Sequence, residues 1–191
     1  GPHRIHVREH DGEDPAIVLM HGFPDNHHLY DRLVPHLPNR HVVLFDFLGW
    51  GESDKPENHD YTFANQREDL DAVIAGLDLD RVVLVPHDAS GPAAFNWALD
   101  HPDRVAAIVA LNTFYSLLPD APPNPPEAIR LFSDPAFTRL TAHFADSPRE
   151  FRWLYAFQVG GLTRNDSVRA QLNPLLSQQF RHLRVNYANG D

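Results

Sequence analysis

The chain has no cysteine among its 191 residues, so disulfides and thiolate-based metal sites are excluded. No apolar run approaches the roughly twenty residues that a membrane-spanning helix needs, and no membrane association is expected. Basic residues are scarce: 16 Lys and Arg stand against 26 Asp and Glu, a formal net charge of -10. Without a Lys/Arg stripe to neutralise phosphates, no nucleic-acid partner is expected. The acidic excess is diffuse and reads as solubility. The N-terminus lacks the basic-then-apolar layout of a signal peptide, which with the absent cysteine makes a cytoplasmic location the expectation. Histidine is abundant, thirteen in all, but only His27 and His28 are adjacent and HExxH is absent, so no metal and no other cofactor is expected.

What is present alternates between two periods. Apolar runs of strand length occur at Arg4–His10 (weakly), Ala16–Met20, His41–Phe45, Arg81–Val85 and Val105–Leu111. Helical spacing occupies Leu29–Leu37, Thr62–Leu77 and Gly91–Leu99. Strands alternating with helices argue an α/β fold with a mostly parallel sheet, and right-handed crossovers bring the loops after the strands to one rim. From Pro119 the style changes. A proline-rich connector, Leu118-Pro-Asp-Ala-Pro-Pro-Asn-Pro-Pro126, leads into helical patterns without strand signals. The expected division is therefore 1–118 as core and 119–191 as connector and helical cap.

The stretch Val82-Val-Leu-Val-Pro-His-Asp-Ala-Ser-Gly-Pro92 runs from a buried strand directly into a helix, with Asp88 at the corner. Such a carboxylate suits catalysis, because a sharp turn exposes its oxygens and nearby N–H groups favour its ionised form. It equally suits an N-cap, supplied by Asp88 or by Ser90 ahead of Pro92. Residue types alone leave both open.

Three motifs in order, each after an expected strand, carry a resemblance: His21-Gly-Phe-Pro24, Asp46-Phe-Leu-Gly-Trp-Gly-Glu-Ser-Asp-Lys-Pro56 and His87-Asp-Ala-Ser-Gly91. Together they resemble the signatures of the alpha/beta-hydrolase fold superfamily, and within it the epoxide hydrolase and haloalkane dehalogenase branch with an aspartate nucleophile. The likeness is good over about 5–118 and loose beyond.

The resemblance implies that Asp88 attacks an sp³ carbon to give an alkyl-enzyme ester, which activated water later opens. It implies an oxyanion hole from the backbone N–H groups of Ala89 and Phe23. Asp46 is then structural, close to Gly49 and Gly51; His21 and Gly22 order the loop after their strand, and His87 supports the nucleophile from behind. Asn112 ends the strand where one dehalogenase group carries its catalytic acid. An asparagine supplies no charge there, so the acid is expected further along. A hydrogen bond to the opening epoxide oxygen would come from a cap tyrosine: Tyr155 is the candidate, with Trp153 as the neighbour that could take its place and packing of the cap as the alternative for both. Pro24 lines the substrate side.

A small hydrophobic substrate is expected, an epoxide first and an alkyl halide as the alternative. Ala89 stands where many dehalogenases carry a halide-holding Trp. A non-catalytic binding protein of the same fold is a further alternative, and a serine esterase acting through Ser90 a minor one. The branch needs a histidine after its last strand to activate water. No histidine of the chain holds an equivalent place, so C-terminal strands and the histidine loop are expected from further sequence or another polypeptide, with homo-oligomerisation open.

Overall fold

The computed structural model describes residues 2–23, 25–113 and 115, with a few isolated positions between 136 and 149. The chain divides into two compact units, Gly1–Ala121 and Pro122–Asp191, and the first carries the described fold. The expected cap helices lie outside the described residues, as do Tyr155, Trp153 and Pro24.

Five strands form one sheet in the order β1-β3-β2-β4-β5: β1 (Val7–His10), β2 (Glu13–Met20), β3 (Arg40–Phe45), β4 (Val82–Pro86) and β5 (Val105–Ile108). All neighbours are parallel except β1, which runs antiparallel to β3. Two helices, α1 (Phe63–Gly76) and α2 (Gly91–Asp100), provide crossovers. The sheet is mostly parallel, as the alternation of periods predicts. No helix among the described residues is long and apolar enough to cross a membrane.

Side-chain alternation explains why the central strands read as unbroken apolar runs. On one face Val18 and Met20 of β2, Val43 and Phe45 of β3, and Val82 and Leu84 of β4 meet Leu70, Val73 and Ile74 of α1 and Ala94 and Trp97 of α2. On the other face Leu19, Val42, Leu44 and Val85 pack with Tyr30. A strand covered on both faces has no polar side to show. The two helices are tied by Trp97, whose indole N–H donates to Asp71 Oδ1 at 2.9 Å. Thr62 starts α1 as its N-cap, accepting the Asn65 N–H at 3.3 Å. At the sheet edge, residues 106–110 are exposed.

Two local expectations are corrected. The helix expected over Leu29–Leu37 is instead a pair of 3-10 turns, His27–Tyr30 and Val34–His36. Pro35 falls inside that run and lacks the N–H that a continuing helix would need. Phe63, which helical spacing would put on one face with Leu70, Val73, Ile74 and Leu77, is the first residue of α1 and is 46% exposed.

Register decides what the fold can do. Met20, the last residue of β2, stands opposite both Phe45, the last of β3, and Pro86, the last of β4. The next residues, His21, Asp46 and His87, therefore leave the sheet side by side at one rim. This is the edge where sites form in parallel α/β sheets. Pro86 is tolerated because the strand's last position needs only its carbonyl, which accepts the Leu111 N–H at 3.0 Å.

Candidate active site

Asp88 opens a short 3-10 turn, Asp88–Ser90, that joins β4 to α2. Its φ is +51°, in the left-handed region that costs a non-glycine residue about 1 kcal/mol or more. Two contacts hold it there. The Asp88 N–H donates to the Leu111 carbonyl at 3.3 Å, and the Thr113 hydroxyl donates to the Asp88 carbonyl at 2.6 Å. Both come from the segment after β5, so the elbow is braced from the neighbouring strand's end.

The half-buried Asp88 side chain faces the loop after β2. Its Oδ1 accepts the Phe23 N–H at 2.9 Å. Gly22 makes this approach feasible: a Cβ there would lie 2.3 Å from Asp88 Cβ and 2.7 Å from Oδ1. The N-cap of α2 is Ser90, and no side chain caps its first turn, so the carboxylate is not spent as a helix cap. Ala89, half-buried, is the middle residue of the turn.

Ser90 is 1% exposed. Its Oγ accepts the His87 N–H at 2.9 Å and lies 2.8 Å from the His87 carbonyl and 3.4 Å from that of Met20. A hydroxyl enclosed by backbone in this way tightens the elbow. His87 is half-buried, and its Nδ1 has no hydrogen-bond partner among the described residues.

His21 joins two of the rim loops. Its Nδ1 lies 2.9 Å from the Gly22 carbonyl, and Nε2 accepts the Phe47 N–H at 3.2 Å. Those partners fix a neutral ring with the proton on Nδ1. Burial pushes its pKa below the ordinary value, against the opposing pull of Asp46. With both nitrogens committed to backbone, His21 holds the loop that presents Phe23 and Gly22. Trp50 packs edge-on against both His21 and Phe23, with centroids 6.0 and 5.8 Å away.

Asp46 is fully buried. Oδ1 accepts the His27 N–H at 2.7 Å; Oδ2 accepts from His27 Nδ1 and from the Glu52 N–H, each at 2.9 Å. Burial alone would raise its pKa, but the His27 hydrogen bond, the nearby His21 and His27 rings and the Glu52 amide outweigh it. The carboxyl is held well below the usual range. Gly51, at φ +47°, leaves no space for a Cβ, which would sit 2.0 Å from Asp46 Oδ2. Asp46 thus folds the glycine-punctuated loop around itself. A second buried carboxyl, Asp69 of α1, accepts the Leu48 N–H at 3.0 Å. Burial pushes it up to about 6.

Asn112 is exposed with φ +42° and turns the chain just before Thr113. Sequence reasoning missed Thr113 and His27 altogether. Thr113 carries no motif, and His27 reads only as half of a histidine pair.

The chain belongs to the alpha/beta hydrolase fold family, which it matches over residues 15–191. It is 38% identical over 106 residues to a fluoroacetate dehalogenase from Burkholderia sp, covering 53% of this chain and 35% of that protein. It is 35% identical over 125 residues to the bifunctional epoxide hydrolase 2 of Rattus norvegicus, covering 64% and 22% respectively. A hydrolase structure from Pseudomonas aeruginosa superposes with a TM-score of 0.71 at 22% identity, covering 98% of this chain and 68% of that one, a likeness of fold. The chain spans about a third or less of the length of these curated relatives.

Proposed function

We propose that the chain carries the nucleophilic half of a hydrolase active site, with Asp88 attacking an sp³ carbon of an epoxide. The observation behind this reading is the Asp88 carboxylate on a positive-φ elbow, with one oxygen engaged by the Phe23 amide and no helix turn to cap. Oδ2 forms the new C–O bond as the epoxide C–O bond breaks, and the freed alkoxide takes a proton from solvent. The product is a hydroxyalkyl ester of Asp88 in which Oδ1 has become the carbonyl oxygen. Water, giving up a proton to a base, then attacks the ester carbon and negative charge collects on Oδ1. Collapse releases the diol, whose leaving oxygen takes a proton back, and the carboxylate is left with one proton passed to solvent.

Phe23 is on the oxygen where this charge develops, so its amide stabilises the second step more than the first; the Ala89 amide is the second donor. A serine in this position would need a base before it could attack, whereas a carboxylate does not. The base belongs to the water-activation step. His21, with both ring nitrogens on backbone partners, does not serve there.

Similarity to both an epoxide hydrolase and a fluoroacetate dehalogenase supports attack at an sp³ carbon. Displacement of halide from an alkyl halide is the second reading, since it uses the same oxygen and gives the same class of ester. The test follows the loss of a terminal epoxide and of a primary alkyl chloride of similar size, each incubated with the protein and with Asp88→Asn. Loss of epoxide that depends on Asp88 supports the proposal, loss of chloride alone selects the second reading, and loss of neither contradicts both.

A further inference from the structure

We propose that His6, His27 and Glu52 form a binding site for a divalent transition-metal ion, Zn²⁺ in the first instance. One ligand atom from each lies within 4.8 Å of the other two. The residues come from three segments: the stretch before β1, the 3-10 turn after β2 and the loop after β3. Two imidazoles and a carboxylate are a donor set that Zn²⁺ accepts, with water completing a tetrahedron.

Asp46 separates this cluster from a chance gathering of polar side chains. It receives both the backbone N–H and the Nδ1 proton of His27, and the same Oδ2 receives the Glu52 N–H. One buried carboxylate thus orients two of the three ligand residues, leaving His27 Nε2 as the ring atom with a lone pair to offer. A carboxylate–histidine pair of this kind is what metal sites use behind their ligands. The third residue is also held by its backbone. The His6 N–H donates to Ser53 Oγ at 2.8 Å, its carbonyl accepts the Asp46 N–H at 3.0 Å, and Ser53 Oγ donates to the Asp46 carbonyl at 2.5 Å.

The side chains are close without satisfying one another. His6 Nδ1 is 3.5 Å from Glu52 Oε2, and His6 Nε2 is buried without a hydrogen-bond partner among the described residues. The His6 and His27 rings lie 4.7 Å apart, tilted by 40°. In a tetrahedral zinc site neighbouring ligand atoms stand about 3.4 Å apart. The His6–Glu52 pair already has that spacing. The remaining spacings, all within 4.8 Å, close by a movement on the order of 1 Å, open to the partly exposed His6 ring and the exposed Glu52 side chain together. A surface cleft of about 430 Å³, lined by Arg4, Ile5, His6, Val7 and Glu52, gives the ion and its water a way in. The Glu52 and Asp46 charges balance the ion. Bound there, the metal would staple the N-terminal stretch to the glycine-punctuated loop.

The test titrates Zn²⁺ into the full chain against a chromophoric chelator and records the unfolding temperature with and without the ion. Co²⁺ serves as a spectroscopic probe of four-coordination. Glu52→Gln keeps the backbone amide that Asp46 needs, and His6→Ala keeps both backbone bonds of that residue. The expectation is one ion per chain, a higher unfolding temperature with Zn²⁺, and affinity at least about tenfold weaker in each variant. The exposed His36→Ala should bind as the parent does. Failure of the folded parent to bind, or binding that Glu52→Gln and His6→Ala leave unchanged, overturns the proposal. The outcome is independent of whether Asp88 reacts with an epoxide.

Discussion

The Phe23 amide donates to Oδ1 of Asp88 across 2.9 Å, although the two residues are 65 positions apart in the chain. That bond needs Gly22 to bear no side chain, because a Cβ would fall inside the Asp88 carboxyl group. Gly22→Ala should therefore force the two loops apart. We expect a stability loss of about 1–3 kcal/mol by chemical denaturation, together with a marked slowing of the reaction at Asp88. A variant as stable and as reactive as the parent would show that the approach is not required.

Asp46 accepts three N–H groups while buried. Asp46→Ala strands all three donors, and a loss of about 3–5 kcal/mol is expected from urea unfolding at neutral pH. A loss below about 1 kcal/mol would mean that the glycine-punctuated loop holds itself.

Asp69 gives a pH dependence of definite sign. Its folded pKa is raised by burial from 3.8 to about 6, so the folded state holds the proton more tightly than the unfolded chain. Its favourable contribution is complete below pH 3.8 and is lost as pH rises through about 6. The full difference is on the order of 3 kcal/mol. Asp69→Asn, whose amide oxygen can still accept the Leu48 N–H, should be more stable than the parent at pH 7 by up to that amount. The advantage should vanish near pH 4. Equal stability at pH 7, or an advantage that grows on acidification, would contradict this.

Thr113 braces the elbow through its hydroxyl, which donates to the Asp88 carbonyl at 2.6 Å. Thr113→Val keeps the shape and removes the donor. It should cost about 1 kcal/mol and slow alkylation of Asp88 severalfold, measured on the same sample. A stability loss without any change in rate would confine Thr113 to a structural role.

The frame of the fold is readable in the sequence because residues 16–20 of β2, residues 42–45 of β3 and β4 are covered on both faces and are apolar there. The rim loops are readable for a similar reason, since Gly22 and Gly51 stand where a carboxylate passes too close for a Cβ. The failures share a cause too. Pro35 breaks a helical pattern that apolar spacing alone would continue. The partnership of His27 with Asp46, and of Thr113 with Asp88, exists only after the strands are in register. Distant pairing of this kind leaves no spacing to detect.

The most direct measurement is the mass of the intact protein after exposure to a reactive terminal epoxide, followed by peptide mapping. Expected is a gain of one epoxide mass per chain, trapped on Asp88 by acid quenching before water opens the ester, and at least about a thousandfold slower gain in Asp88→Asn. A folded protein that takes up no epoxide, or one that carries it on another residue with Asp88 unmodified, would contradict the nucleophilic role of this carboxylate.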